Sequence, residues 1–167
     1  MKYRYLIPVF LCAFLFQGTL VNAFAVRGAA PNLILCAMIS IVFMYRDSFG
    51  TVALACFFQF LSDLILGVYA GPGAIAVFLV GIAVLFASEE LNKENFGTML
   101  IVSAASTLSY NLIFFGITRL LGERYSLVYV LKLQPLYIAY NLAVCSIAYF
   151  LLIRRVVKYR QDRFYRK

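Results

Sequence analysis

The sequence predicts an all-α integral membrane protein in which about six transmembrane helices form one compact bundle. Hydrophobic residues make up 64% of the 167-residue chain, charged residues make up only 13%, and the mean hydropathy is +0.90. Soluble domains carry about 25% charged residues, so a soluble fold could not bury this much apolar surface. Apolar residues also run continuously, as from Ile34 to Met44, instead of alternating as in a transmembrane barrel. Helices are therefore the expected spanning elements.

Six apolar runs separated by helix breakers define the candidate spans. They leave room for short loops only, so the chain divides into a transmembrane domain at 1–153 and a basic tail at 154–167. The second run rises only about 22 Å as a helix, against a hydrocarbon core of about 30 Å. It either crosses a thinned bilayer or is buried by neighbouring helices. The predicted spans are Tyr5–Val26, Pro31–Tyr45, Phe49–Ala70, Gly73–Phe86, Phe96–Leu121 and Leu133–Ile153.

Prolines and acids mark several edges of these spans. Pro31 and Pro72 suit the first turn of a helix, where the missing N–H has no intrahelical partner. The segment 71–73 (Gly-Pro-Gly) is typical of a tight turn between the third and fourth spans. The fourth span is expected to continue through Glu89 and Glu90, whose carboxylates would emerge at the level of the lipid headgroups.

The distribution of basic residues predicts the orientation. In the six-span arrangement one side of the membrane collects most of the Lys and Arg residues, which places both termini in the cytoplasm. The basic tail is expected to extend the last helix and lie along anionic headgroups, and nucleic-acid binding is the poorer interpretation of the net charge of +8. The cytoplasmic set is Lys2, Arg4, Arg46, Lys93, Arg154, Arg155, Lys158, Arg160, Arg163, Arg166 and Lys167; the opposite set is Arg27, Arg119, Arg124 and Lys132.

The amino-terminal segment has two interpretations. Lys2 and Arg4, followed by an apolar stretch from Leu6 to Phe16 and the sequence Ala-Phe-Ala at 23–25, resemble a cleavable signal peptide. The apolar run nevertheless continues towards Val26, which favours an uncleaved first span.

The chain carries few groups suited to catalysis or metal binding. It contains no histidine, which excludes histidine-dependent acid–base chemistry. Its four cysteines, Cys12, Cys36, Cys56 and Cys145, lie in separate apolar runs without a metal-ligand spacing, so core packing is expected. The sequence therefore predicts neither an enzyme nor a cofactor site.

Asp63 is the most informative single residue, because an acid at membrane depth costs a few kcal/mol unless it is paired or hydrated. Gln59 and Gly67 lie four residues before and after it and share its helical face, which should point into the bundle. The expected hydrogen-bond partners of Asp63 are polar residues of the first, fifth and sixth spans. They are Gln17, Ser103, Thr107, Tyr110, Asn111 and Asn141.

This polar face admits a structural and a functional interpretation. Hydrogen bonds among these side chains would tie the helices together. Alternatively, Asp63 could be the proton or cation site of an ion-coupled transporter, or the face could line a ligand pocket. A transporter with inverted repeats would carry interrupted helices in matching halves, and no such repeat is evident.

The first four spans resemble the rod shape-determining protein MreD of bacteria. The resemblance rests on the order and spacing of short elements, whereas the fifth and sixth spans match only in hydrophobicity. The elements are Gln17 with Leu20, Pro31-Asn32-Leu33, Gly50, Asp63-Leu64 with Gly67, Gly71-Pro72 and Gly81.

The resemblance implies a non-enzymatic scaffold of the cell-elongation machinery. Such a protein pairs with the bitopic protein MreC and is linked through it to MreB and to peptidoglycan synthesis. The helix arrangement of the family resembles the substrate-binding subunits of energy-coupling-factor vitamin transporters, so a vitamin-binding subunit is the alternative. Against that alternative, no repeated small-residue pattern is evident in the first span, and no compact set of aromatic and acidic ligand residues stands out.

Overall fold

Six α-helices account for most of the described chain, which confirms the predicted all-α class. The computed structural model describes residues 3–25, 28–44, 49–91 and 95–164, and the side chains at 6–19, 25, 28–44, 49–91 and 95–152. The helices are α1 (Tyr3–Phe24), α2 (Leu33–Met44), α3 (Phe49–Leu66), α4 (Pro72–Glu90), α5 (Phe96–Leu120) and α6 (Leu127–Phe164).

The short helix α2 lies at the centre of the bundle. It packs against all five other helices, and these pack against one another in the order α1, α3, α4, α5, α6. Ten of its 12 residues are buried. Its length of about 18 Å is less than the hydrocarbon thickness of about 30 Å. The structure thus confirms that neighbouring helices bury the second run, and this burial is compatible with the crossing of a thinned bilayer.

Four helices are long and apolar enough to cross a membrane. They are α3, α4, α5 and the Leu127–Leu152 part of α6. The Leu6–Thr19 part of α1 and the whole of α2 are shorter apolar stretches. Within its described residues, the chain thus has the architecture of a helical membrane protein.

The third span ends earlier than predicted. Helix α3 stops at Leu66, so the expectation of a helix to Ala70 and of Gly67 within it is wrong. The Gly67 N–H still donates to the Asp63 carbonyl oxygen at 3.0 Å, and the chain bends immediately afterwards. A Cβ at position 67 would approach that carbonyl oxygen to 2.5 Å, so this bend requires glycine.

The start of the fourth span agrees with the predicted turn. Gly71 adopts a left-handed conformation with φ of 106°, which glycine accommodates without steric cost, and Pro72 occupies the first helical turn. The helix continues to Glu90, so the predicted extension through Glu89 and Glu90 is confirmed, and both carboxylates are exposed.

The last helix begins at Leu127, and the predicted start at Leu133 is wrong. Ser126 acts as its N-cap: its hydroxyl oxygen accepts from the Val128 N–H at 3.2 Å, and its carbonyl oxygen accepts from the Val130 N–H at 3.4 Å. Pro135 lies inside the helix without ending it. The same helix continues to Phe164, which includes most of the basic segment 154–167.

Core packing, which the sequence predicts for all four cysteines, is confirmed for only part of them. Cys36 and Cys145 are fully buried in the core, and Cys56 is half-buried. Cys12 is exposed on α1, so core packing is wrong for this residue.

Candidate functional site

The carboxylate of Asp63 caps the N-terminus of the next helix. Its Oδ2 accepts from the backbone N–H groups of Gly73 at 2.7 Å and Ala74 at 3.1 Å. Its Oδ1 accepts from the side-chain amide Nε2 of Gln59 at 3.0 Å. The first N–H groups of a helix have no intrahelical partner, and Gly71, the N-cap of α4, makes no side-chain capping bond. Asp63 therefore supplies the cap from α3.

This α4 cap (Asp63, Gln59 and the N–H groups of Gly73 and Ala74) leaves no room for a side chain at Gly73. A Cβ there would lie 2.9 Å from the Asp63 Oδ2 and 2.9 Å from the Gln59 Nε2, and closer still to Oδ1. The glycine thus allows the carboxylate to approach the backbone. Three donors converge on the two oxygens, and an ionised carboxylate, which only accepts hydrogen bonds, matches such a site.

A second cap holds the N-terminus of the central helix α2. Asn32 is its N-cap, since its Oδ1 accepts from the Leu35 N–H at 2.9 Å. Gln17 of α1 accepts from the Leu33 N–H at 2.7 Å and donates to the Pro31 carbonyl oxygen at 3.2 Å. Pro31 precedes the helix, so its expected place in the first helical turn is wrong.

Asn141 of α6 completes this α2 cap (Gln17, Asn32 and Asn141). Its Oδ1 accepts from the Asn32 N–H at 3.0 Å, and its Nδ2 donates to the Thr107 hydroxyl oxygen at 3.1 Å. The Asn32 Nδ2 donates to the Gln59 Oε1 at 3.3 Å. One hydrogen-bonded network therefore joins both caps and reaches all six helices.

Of the expected polar residues, Gln17, Thr107 and Asn141 belong to this network, in a different arrangement. The prediction that residues of the first, fifth and sixth spans bond directly to Asp63 is wrong: Gln17 and Asn141 cap α2, and their link to Asp63 runs through Asn32 and Gln59. Asn111 lies apart from Asp63 and donates to the Gln134 Oε1 at 3.0 Å.

Three residues that matter here were missed as site residues. Asn32 and Gly73 had sequence signals, namely an Asn directly before an apolar run and a glycine after proline at a helix start. Gln134 is only 5% exposed and its Nε2 is without a hydrogen-bond partner. Gln134 lies inside the predicted sixth span, where an amide in an apolar run is the same signal that identifies Gln17 and Asn141.

A cavity of about 270 Å³ opens where α5 ends and α6 begins. Aromatic side chains form most of its wall, and the sequence analysis did not identify this aromatic cluster. None of the described residues that line it is acidic. They are Gly28, Asn111, Phe114, Phe115, Tyr125, Tyr129, Val130 and Tyr137.

The described residues contain no cluster of three or more Cys, Asp or Glu side chains that could hold a metal ion. Compared with protein-family models, curated proteins and solved structures, the chain matches none. The fold therefore defines the class of the protein, a helical membrane protein with a hydrogen-bonded network inside an apolar core.

Proposed function

We propose that this protein is an MreD-like, non-enzymatic scaffold of the cell-elongation machinery in a bacterial plasma membrane. In this role it crosses the membrane six times, pairs with an MreC-like bitopic protein, and acts on MreB and the cell-wall synthesis enzymes only through that partner. Its own work is to hold partners in place, without turnover of a substrate.

The observation that carries the proposal is the meeting of the residues behind the MreD resemblance. Gln17 and Asn32 belong to the α2 cap, the Pro31 carbonyl oxygen accepts from Gln17, and Asp63 belongs to the α4 cap. Gly81 lies where α4 touches α2 and α3, since a Cβ there would meet Val52 at 2.7 Å and the Met38 sulfur at 2.9 Å. Residues that are far apart in the sequence thus meet where the first four helices pack together.

The α4 cap also favours a scaffold over an ion-coupled transporter. A site that loads and releases a proton or cation needs a carboxylate oxygen that can exchange its partner. Here Oδ1 and Oδ2 both accept hydrogen bonds from the protein, and Asp63 is only 7% exposed. Such a carboxylate is suited to holding two helices together.

The proposed topology predicts that both termini are cytoplasmic. Reporter fusions after Lys167 should give a cytoplasmic signal, and a fusion in the α5–α6 loop at Glu123 should give an external one, because Lys and Arg are concentrated on the side of the termini. An external signal from Lys167, or a cytoplasmic signal from Glu123, would contradict the six-span arrangement.

Depletion of the protein should make a rod-shaped host round and wide, because elongation requires the assembly that the scaffold holds. Purified in mild detergent, it should bring down an MreC-like bitopic protein. A vitamin-binding subunit would instead leave cell shape intact, copurify with a transport module and retain a small ligand detectable by mass spectrometry. That combination would overturn the proposal.

A further inference from the structure

The cavity between α5 and α6 combines flat apolar walls with neutral hydrogen-bonding groups. The rings of Phe115 and Tyr125 lie 5.5 Å apart at its edge. The Tyr137 hydroxyl donates to the Gly28 carbonyl oxygen at 3.4 Å, which ties α6 to the α1–α2 connection. Asn111 places an amide deeper in the wall, about 14 Å along α5 from its end.

The guanidinium of Arg119 lies at the edge of this cavity. The Arg119 Cζ lies 6.0 Å from the centre of the Phe115 ring, and its Nη1 donates to the Tyr125 carbonyl oxygen at 3.3 Å. A guanidinium has five N–H donors in one plane, so it can bind a carboxylate while keeping this contact. The described charged residues at this end are Arg119, Glu123, Arg124 and Lys132, which together favour an anion.

We propose that this cavity binds a small aromatic molecule carrying one carboxylate. The ring lies among the aromatic side chains, whose faces and edges favour offset or edge-on contact with another ring. The carboxylate lies at Arg119. A volume of about 270 Å³ lies just below the range of about 300–1,000 Å³ for small-molecule sites, which suits a molecule of only one or two rings. This inference does not depend on the proposed role in cell elongation.

The absence of tryptophan from the chain allows a direct binding measurement. Indole-3-acetate can be excited beyond the absorption of tyrosine, so its fluorescence anisotropy reports on the probe alone. We expect saturable binding to the full chain in phosphatidylcholine bicelles, which are lipid discs without a scaffold protein. Indole-3-ethanol, which has the same ring and no charge, should bind about tenfold more weakly, because it loses a charge-assisted contact.

Two variants with matched controls test the placement of the ligand. Arg119→Gln should abolish the preference for indole-3-acetate over indole-3-ethanol, while indole-3-ethanol still binds. Arg124 is an exposed cation outside the cavity wall, so Arg124→Gln should preserve this preference. Val130→Phe should fill the cavity and remove binding of both probes, whereas Leu131→Phe on the exposed face of α6 should not.

Several results would overturn this assignment. One is the lack of saturable binding to the unmodified chain; another is an equal effect of Arg119→Gln and Arg124→Gln, which would indicate general surface charge. Unchanged binding in Val130→Phe would place the probe elsewhere. Displacement of the probe by phosphatidylglycerol in the disc would assign the cavity to a lipid headgroup. Cell shape after depletion is a separate readout, so failure here is distinguishable from failure of the scaffold proposal.

Discussion

Replacing Gly73 with alanine should strongly reduce the amount of folded protein. The added Cβ would lie 2.9 Å from both the Asp63 Oδ2 and the Gln59 Nε2, so the carboxylate must leave the N-terminus of α4. Overpacking costs about 1–3 kcal/mol. Each buried polar group left without a partner adds about 1–3 kcal/mol. Together these costs are a large part of the stability of a typical domain.

The measurement is the thermal stability of the detergent-purified protein, followed as loss of the monodisperse peak in size-exclusion chromatography. Gly116→Ala is the matched control, because a Cβ at Gly116 on α5 meets no atom within 4 Å. This control should be neutral or slightly stabilising, since alanine favours a helix over glycine by about 1 kcal/mol. If the two variants were equally stable, the close approach of Asp63 to α4 would be contradicted.

Replacing Asp63 with leucine should also destabilise the fold, and more than replacement with asparagine. Leucine removes the acceptor for three donors, the N–H groups of Gly73 and Ala74 and the Gln59 amide, each at about 1–3 kcal/mol. Asparagine can still accept from the backbone through its oxygen, although its own amide would then face the Gln59 amide. The expected order of stability is therefore Asp, then Asn, then Leu.

The expected loss of stability in Asp63→Leu is opposite in sign to the effect of this substitution on membrane insertion. Leucine inserts into a bilayer more favourably than aspartate by a few kcal/mol, so a simple hydrophobic span would be improved by Asp63→Leu. Thermal stability equal to or above that of the unmodified protein would show that the α4 cap does not stabilise the fold. A pH-dependent flux in proteoliposomes that disappears in Asp63→Asn would instead favour the proton-coupled transporter.

The class of the protein and most of its helices were predictable from the sequence, because they depend on local properties. Long apolar runs define helices whatever their neighbours are, so α5 was placed to within one residue at its C-terminal end. The extension of α4 to Glu90 was also predictable from its apolar run. The cost of an acid at membrane depth was enough to predict that Asp63 faces protein, and it is buried.

Helix ends were less predictable where a single capping residue decides them. The start of α6 depends on Ser126, and a lysine and a proline in the following two turns obscured it in the sequence. The end of α3 depends on the bend that Gly67 permits.

The partners of the polar side chains were decided only by the tertiary structure. Gln17, Asn141 and Asp63 were all identified as interior polar residues, yet what they bind is mostly backbone N–H at the start of another helix. Every helix has such unsatisfied N–H groups, and spacing along the chain does not reveal which side chain will reach them. The same reason hid the aromatic cavity, since its walls come from three segments that meet only when α5 and α6 pack beside the α1–α2 connection. Hydrophobicity is a property of each segment alone, whereas a cap supplied by another helix, or a cavity, forms only between segments.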